Sequence, residues 1–224
     1  MRQSLAVTFN GFELEGVSVR SGGRTRLDDV SLQIPAEGIT VLAGASGAGK
    51  STLLRLLNRL DIPTEGTIRW RGTSLDQIDV LEHRRDVGMV FQQPTVVPGT
   101  VADNLRLADP DLSDAEAIML LEAAALAAGF LDRDASALSG GERQRVCFAR
   151  TLATRPTVVL ADEPTASLDP DATTVVEDVV SELAHPDRSG RVAWIWVSHD
   201  RQQTERLADR VITLAEGRVI GVTR

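Results

Sequence analysis

The chain has 224 residues, 42% of them hydrophobic and 25% charged, with a formal net charge of −8 at pH 7. This is the composition of a globular protein with a real core, and its acidic balance argues against a sequence-independent nucleic-acid binder, which needs a basic face. The single cysteine, Cys147, excludes an intramolecular disulfide, and with no run approaching 18 apolar residues and no signal-peptide core in residues 1–16, a cytoplasmic location is expected.

Residues 12–20 and 27–34 alternate or cluster apolar side chains on either side of the turn-like Ser21-Gly22-Gly23, which predicts antiparallel strands. The apolar run 38–43 then leads into Gly44-Ala45-Ser46-Gly47-Ala48-Gly49-Lys50-Ser51-Thr52, and leucine-rich residues 53–57 follow. Gly44, Gly49, Lys50 and Ser51 occupy the fixed places of the phosphate-binding pattern G-x-x-x-x-G-K-[ST], in the strand–turn–helix context it requires. Glycines let backbone N–H groups curl around phosphate oxygens, and a helix N-terminus adds partial positive charge. Lys50 can reach the β- and γ-phosphates of a nucleotide, and the Ser51 hydroxyl can ligate Mg²⁺.

Residues 67–70 read as a short strand before the turn Arg71-Gly72, and 87–91 as a buried strand. From about 94 to 150 the pattern is helical, with Ser113 and Glu116 at capping-box spacing. Cys147, inside this stretch, reads as a small buried apolar residue. Ser139 and Glu142 form a second such box around Gly140 and Gly141, opening a helix that ends before Pro156. This segment is either a capped helix with a flexible entry or a second anion site built from the Ser139 hydroxyl and the Gly140 and Gly141 N–H groups. The residues alone leave both open.

The strand 157–161 runs into Asp162-Glu163-Pro164, which puts two carboxylates at the C-terminal edge of a sheet, where open α/β sheets bind ligands. Beside a phosphate loop, Asp162 is positioned to hold Mg²⁺ through water, and Glu163 to orient and deprotonate an attacking water. Asp169-Pro170 opens a helix to about 184; a strand at 191–197, a helix at 202–208 and strands at 211–214 and 219–222 complete the chain. The alternation predicts an α/β fold with a mostly parallel sheet, an antiparallel layer and a helical insertion.

Together the three motifs resemble those of ABC ATPases, the ATP-hydrolysing subunits of ABC transporters, and further elements follow in that family's order. Gln92 matches the Q-loop glutamine, Ser167-Leu168-Asp169 the D-loop, and His199 the switch histidine. The resemblance spans about residues 12–220 and implies a P-loop NTPase of ABC ATPase type, one domain over 1–224 with its helical subdomain at about 94–150. It implies that Gln92 contacts Mg²⁺ and the attacking water, that His199 touches the γ-phosphate, and that Ser139, Gly140, Gly141 and Glu142 close on ATP held by a second copy. Two ATP molecules would then be sandwiched in a homodimer, with Asp169 linking the sites. Integral membrane transporter subunits would dock after the Q-loop, where Val96, Val97 and Pro98 suggest an apolar patch, and the chain would lie on the cytoplasmic face of the membrane. The alternative is a non-transport ABC ATPase of DNA repair or translation, but the long heptad insertion and the paired ATPase units of those types are absent from the sequence. The segment around 58–60 and residues 94–104 look similar to ATPases of iron export and aluminium tolerance, with some likeness to phosphate-import ATPases. One departure stands out: the family's adenine-stacking aromatic is replaced by Ser21, with Arg20, Arg24 and Arg26 nearby.

Overall fold

The computed structural model describes residues 9–185 and 192–223. Strands β1 (Gly11–Ser21) and β2 (Arg24–Pro35) form the expected antiparallel hairpin. Its turn, Gly22-Gly23, has φ of +57° and +72°, a conformation glycine adopts without steric cost. Strands β4 (Glu65–Trp70) and β5 (Thr73–Ser74) complete a sheet of order β2-β1-β4-β5.

The second sheet contains β3 (Ile39–Ala43), β6 (Val87–Val90), β7 (Val158–Asp162), β8 (Ala193–Val197), β9 (Arg210–Ala215) and β10 (Arg218–Thr223). Its order is β10-β9-β3-β8-β7-β6, parallel throughout except for the antiparallel β10. The predicted strand at 191–197 starts at Ala193; Arg191 lies outside the described residues, as does the start of the N-terminal stretch at 1–8. Every residue of β7 and β8 is buried, as a parallel strand covered on both faces requires. Alternate side chains serve opposite cores. Val158, Leu160, Ile195 and Val197 pack with helix α1 (Lys50–Leu57) and the hairpin. Val159, Ala161, Trp194 and Trp196 pack on the other face, toward the helices that follow.

Helix α2 (Val80–Asp86) precedes β6. The predicted helical stretch contains α3 (Val101–Arg106), α4 (Asp114–Ala123) and α5 (Gly140–Ala153). It begins at Val101, later than expected from 94, because Pro94, Pro98 and Gly99 interrupt helical backbone. The stretch before α3 is held instead by the buried Asn104 side chain, which bonds Val97 N–H and the Val97 and Thr100 carbonyls. Both predicted capping boxes form, and Thr100 with Asp103 makes a third. Helix α6 (Pro170–Ala184) starts on the Asp169 cap, and α7 (Arg201–Leu207) on Asp200. Among the described residues no helix is long and apolar enough to cross a membrane.

Leu160 is fully buried in the middle of β7, whereas Met119 on α4 is 60% exposed. Leu160→Ala is expected to lower unfolding free energy by about 2–5 kcal/mol, and Met119→Ala by no more than about 0.5, as measured by denaturant titration.

Candidate nucleotide site

The loop from Gly44 to Gly49 joins β3 to α1 and depends on its glycines. Gly44, Gly47 and Gly49 have φ of +142°, +79° and +105°. A Cβ on Gly44 would stand 2.2 Å from the Leu214 carbonyl oxygen, and one on Gly49 2.7 Å from that of Arg26. Gly47, by contrast, faces open space. The glycines therefore seat the loop against β9 and β2 and leave its outer side clear. The α1 N-terminus has neither a side-chain cap nor an acidic residue in its first turn, so its N–H groups and positive end are free for an anion. Lys50 is buried, and its Nζ donates to the carbonyls of Gly44 at 2.7 Å and Ala45 at 3.0 Å. These two bonds anchor the ammonium inside the loop.

Three further motifs meet this loop at the carboxyl edge of the parallel sheet. Ser51, on α1, donates its hydroxyl to Asp162 Oδ1 at 3.1 Å, and Asp162 is the last residue of β7. Burial pushes the Asp162 carboxyl above its ordinary range; the Ser51 hydrogen bond opposes that, the Glu163 charge adds to it, and Lys50 opposes it. Glu163 sits in the left-handed region at φ +48°, rare for a residue with a side chain. Its carboxylate accepts from Gln92 Nε2 at 3.3 Å and lies 3.4 Å from His199 Nδ1. Gln92 follows β6 and His199 follows β8, so strand ends deliver every member of this group. Lys50, Ser51, Gln92, Asp162, Glu163 and His199 are thus brought together as the sequence leads one to expect.

Ser139, Gly140, Gly141 and Glu142 are not part of this cluster. Among the described residues no hydrogen bond or ion pair joins them to residues 44–52. They form the capping box of α5: Ser139 Oγ accepts from Glu142 N–H at 3.3 Å, and the Glu142 carboxylate accepts from Ser139 N–H at 2.7 Å. The segment touches the D-loop instead, since a Cβ on Gly141 would be 3.1 Å from the Ser167 carbonyl oxygen. At the hairpin, Ser21 is exposed, Arg20 pairs with Glu65, and Arg24 and Arg26 make no ion pair among the described residues.

The sequence did not single out the contacts that hold the Q-loop. Gln144 donates to the Phe91 carbonyl at 3.1 Å, and Arg150 donates to that of Thr95 at 2.8 Å, so α5 fixes both flanks of Gln92. Cys147 is buried as expected, and its thiol donates to the same Thr95 carbonyl. Beside this segment opens a groove of about 730 Å³, lined by Phe91, Gln93, Thr95, Leu107 and Cys147 among others. Of the predicted docking residues, Val96 packs into the core and Val97 and Pro98 are exposed. Phe91 and Leu107, not anticipated, present more apolar surface there.

The family model described as "ABC transporter" matches residues 27–166. The chain belongs to the ABC transporter family. It is similar to ABC transporter I family member 17 of Arabidopsis thaliana, with 41% identity over 92% of this chain and 79% of that protein. It is equally similar, at 41% identity over 91% of this chain and 86% of that protein, to phosphate import ATP-binding protein PstB 2 of Lactobacillus johnsonii. Among solved structures it resembles the dimeric ATP-binding cassette MJ0796 in a post-hydrolysis state with ADP and Pi, at a TM-score of 0.85 and 31% identity, covering 95% of this chain and 98% of that one. The chain is an ABC ATPase that binds and hydrolyses ATP.

Lys50→Ala removes the buried ammonium and its bonds to the Gly44 and Ala45 carbonyls. It is expected to weaken ATP binding and hydrolysis together, by at least about tenfold each, since charge-assisted bonds to phosphate are among the stronger ones. Titration with a fluorescent ATP analogue and a phosphate-release assay check this; unchanged affinity and rate would refute the assignment of the loop.

Proposed function

We propose that this ABC ATPase, acting as one unit over residues 1–224 with its helical subdomain at about 94–150, powers transport through separate integral membrane subunits. It works at the cytoplasmic face of the membrane, with MgATP bound between two copies of the chain. The observation that carries this reading is the convergence of Ser51, Asp162, Glu163, Gln92 and His199 at one sheet edge, beside a glycine loop with a free helix N-terminus.

The residues suit Mg²⁺ arriving with a nucleotide. Among the described residues there is no cluster of three or more His, Cys, Asp or Glu that could cage a metal. What the site offers is the Ser51 hydroxyl and the Asp162 carboxylate, two hard oxygen donors 3.1 Å apart. Mg²⁺ is commonly held in this way, by one or two protein oxygens, with phosphates and water completing its shell. Ser51 and the Gln92 amide oxygen would hold it directly and Asp162 through water; the ion would supply charge neutralisation on the phosphates.

The remaining chemistry falls to the chain's own side chains. The N–H groups of residues 44–52 cradle the phosphates, and Lys50 leaves the Gly44 and Ala45 carbonyls for the β- and γ-oxygens. Glu163 orients a water and accepts its proton as the water oxygen bonds to the γ-phosphorus. The bond from that phosphorus to the β,γ-bridging oxygen breaks, giving ADP and inorganic phosphate. Gln92 and His199 lie within 3.4 Å of the Glu163 carboxylate, which supports their assignment to the attacking water and the γ-phosphate.

The second glycine segment gives two copies a role. Ser139 and its neighbours lie outside the cluster within one chain, which is compatible with the resemblance's implication that their N–H groups reach the γ-phosphate from a second chain. The membrane partner fits the groove beside Gln92, where Phe91 and Leu107 are 45% and 61% exposed. The helical segment carries helices of 6, 10 and 14 residues and no coiled-coil arm, which favours transport over the repair alternative.

Glu163→Gln keeps the shape and removes the basic carboxylate, so steady-state turnover should fall by about 10²–10⁴-fold while ATP still binds. Light scattering after size exclusion should show this variant as a dimer with ATP and Mg²⁺ and a monomer with ADP. Adding Ser139→Arg should abolish the dimer. Parental turnover in Glu163→Gln, or an equally strong dimer in ADP, would contradict the mechanism.

A further inference from the structure

We propose that Gln203 is a positioning residue for ATP hydrolysis, which holds the loop carrying Glu163 in register with His199. The inference rests on the roles given to Glu163 and His199 above.

Gln203 lies in the first turn of α7, is buried, and is bonded on three sides. Trp196 Nε1 donates to its Oε1 at 3.2 Å. Its own Nε2 donates to Thr165 Oγ1 and to Glu177 Oε1, each at 2.9 Å. Glu177, also buried, receives a bidentate Arg206 guanidinium, with both bonds at 3.0 Å. Burying an amide and a carboxylate is costly unless every bond is made, and an apolar cluster would serve packing at lower cost. A fully engaged buried network is directional, however, and fixes the relative orientation of the elements it joins.

Those elements carry the two groups that act on the water and the γ-phosphate. His199 is followed directly by Asp200, whose side chain caps α7 by accepting from Gln202 N–H at 2.7 Å and Gln203 N–H at 3.3 Å. Gln203 then crosses to Thr165, two residues beyond Glu163. Glu163 Oε1 returns to within 3.4 Å of His199 Nδ1. The path from His199 through Asp200, Gln203, Thr165 and Glu163 back to His199 is a closed ring, and all five residues line a pocket of about 170 Å³. The ring also bears on a backbone that needs support, since Glu163 sits at φ +48°. Such a conformation in a residue with a side chain persists only where its surroundings over-determine it. Ala166 N–H bonds the Glu163 carbonyl and Leu168 N–H that of Thr165, so the same tether extends into the D-loop. The phosphate loop takes no part in the ring, which separates positioning from nucleotide affinity.

Two substitutions cut the tether with little change of volume: Gln203→Met, and Thr165→Val, which removes only the hydroxyl that accepts from Gln203. Thr165→Ser keeps that hydroxyl. Steady-state ATPase kinetics, ATP affinity and thermal unfolding are measured for these variants and for Glu163→Gln as reference. In Gln203→Met and Thr165→Val, kcat is expected to fall by about 10–100-fold, the scale of a misplaced reacting group, with KM for ATP unchanged. Thr165→Ser should retain kcat within about threefold. If Gln203→Met does not fold, the Thr165→Val and Thr165→Ser pair decides. Parental kcat in Thr165→Val alongside an inactive Glu163→Gln would overturn the role of Gln203 and leave the catalytic assignment standing. A loss shared by kcat, KM and unfolding temperature would overturn it too, as the mark of a merely structural contact. Parental turnover in Glu163→Gln would bring down the catalytic assignment, and this proposal with it.

Discussion

The site depends on three parallel strands ending level. Leu42 of β3 pairs with Val197 of β8, and Val197 pairs in turn with Asp162 of β7, so the three strands finish side by side. The phosphate loop, His199 and Glu163 all emerge just beyond that line. A slip of one residue in either pairing would turn Asp162 from the edge into one of the two cores, because strand side chains alternate. The register is secured by burial. Val158 and Leu160 fill the core under α1, while Val159 and Ala161 fill the core under the helices, so neither face tolerates the slip. The Ser51–Asp162 hydrogen bond ties α1 to the same edge from above.

Helix α5 connects the rest. Its N-terminus is the Ser139–Glu142 capping box, and its body grips both flanks of the Q-loop through Gln144 and Arg150. A displacement of α5 therefore moves Gln92 relative to Glu163. In the mechanism proposed here, closure of the Ser139 segment on a second copy's nucleotide and a change at the groove beside Phe91 are two ends of one rigid element. The D-loop contact at Gly141 brings the segment that follows Glu163 into the same assembly.

Much of this was legible from residue spacing. The glycine loop, the Asp162-Glu163 strand end and the capping boxes are local patterns whose chemistry needs those residue types at those intervals, and each formed where expected. The hairpin was equally plain, because two apolar runs flanked a Gly-Gly turn. The buried polar residues were not legible. Asn104, Gln144, Glu177 and Gln203 look like ordinary solvated positions on helices, and only tertiary packing makes them interior. The late start of α3 has a local cause instead, in Pro94, Pro98 and Gly99, and the Asn104 side chain then supplies the loop with bonds that a helix would otherwise provide. At Ser139 the two readings were inseparable in principle. The cap uses Ser139 Oγ, Ser139 N–H and Glu142 N–H, whereas a phosphate would use the Ser139 hydroxyl with the Gly140 and Gly141 N–H groups, so the one does not exclude the other.

The central claim is that each ATP site is assembled from two copies, with residues 44–52 and Glu163 from one and the Ser139 segment from the other. Mixing Lys50→Ala protein with Ser139→Arg protein tests it most directly. In a head-to-tail pair of the two variants one site receives both defects and the other receives none. ATPase activity that neither variant shows alone should therefore appear on mixing, and should reach its maximum near equal proportions. If the mixture is as inactive as its components at every ratio, the site is not shared between copies.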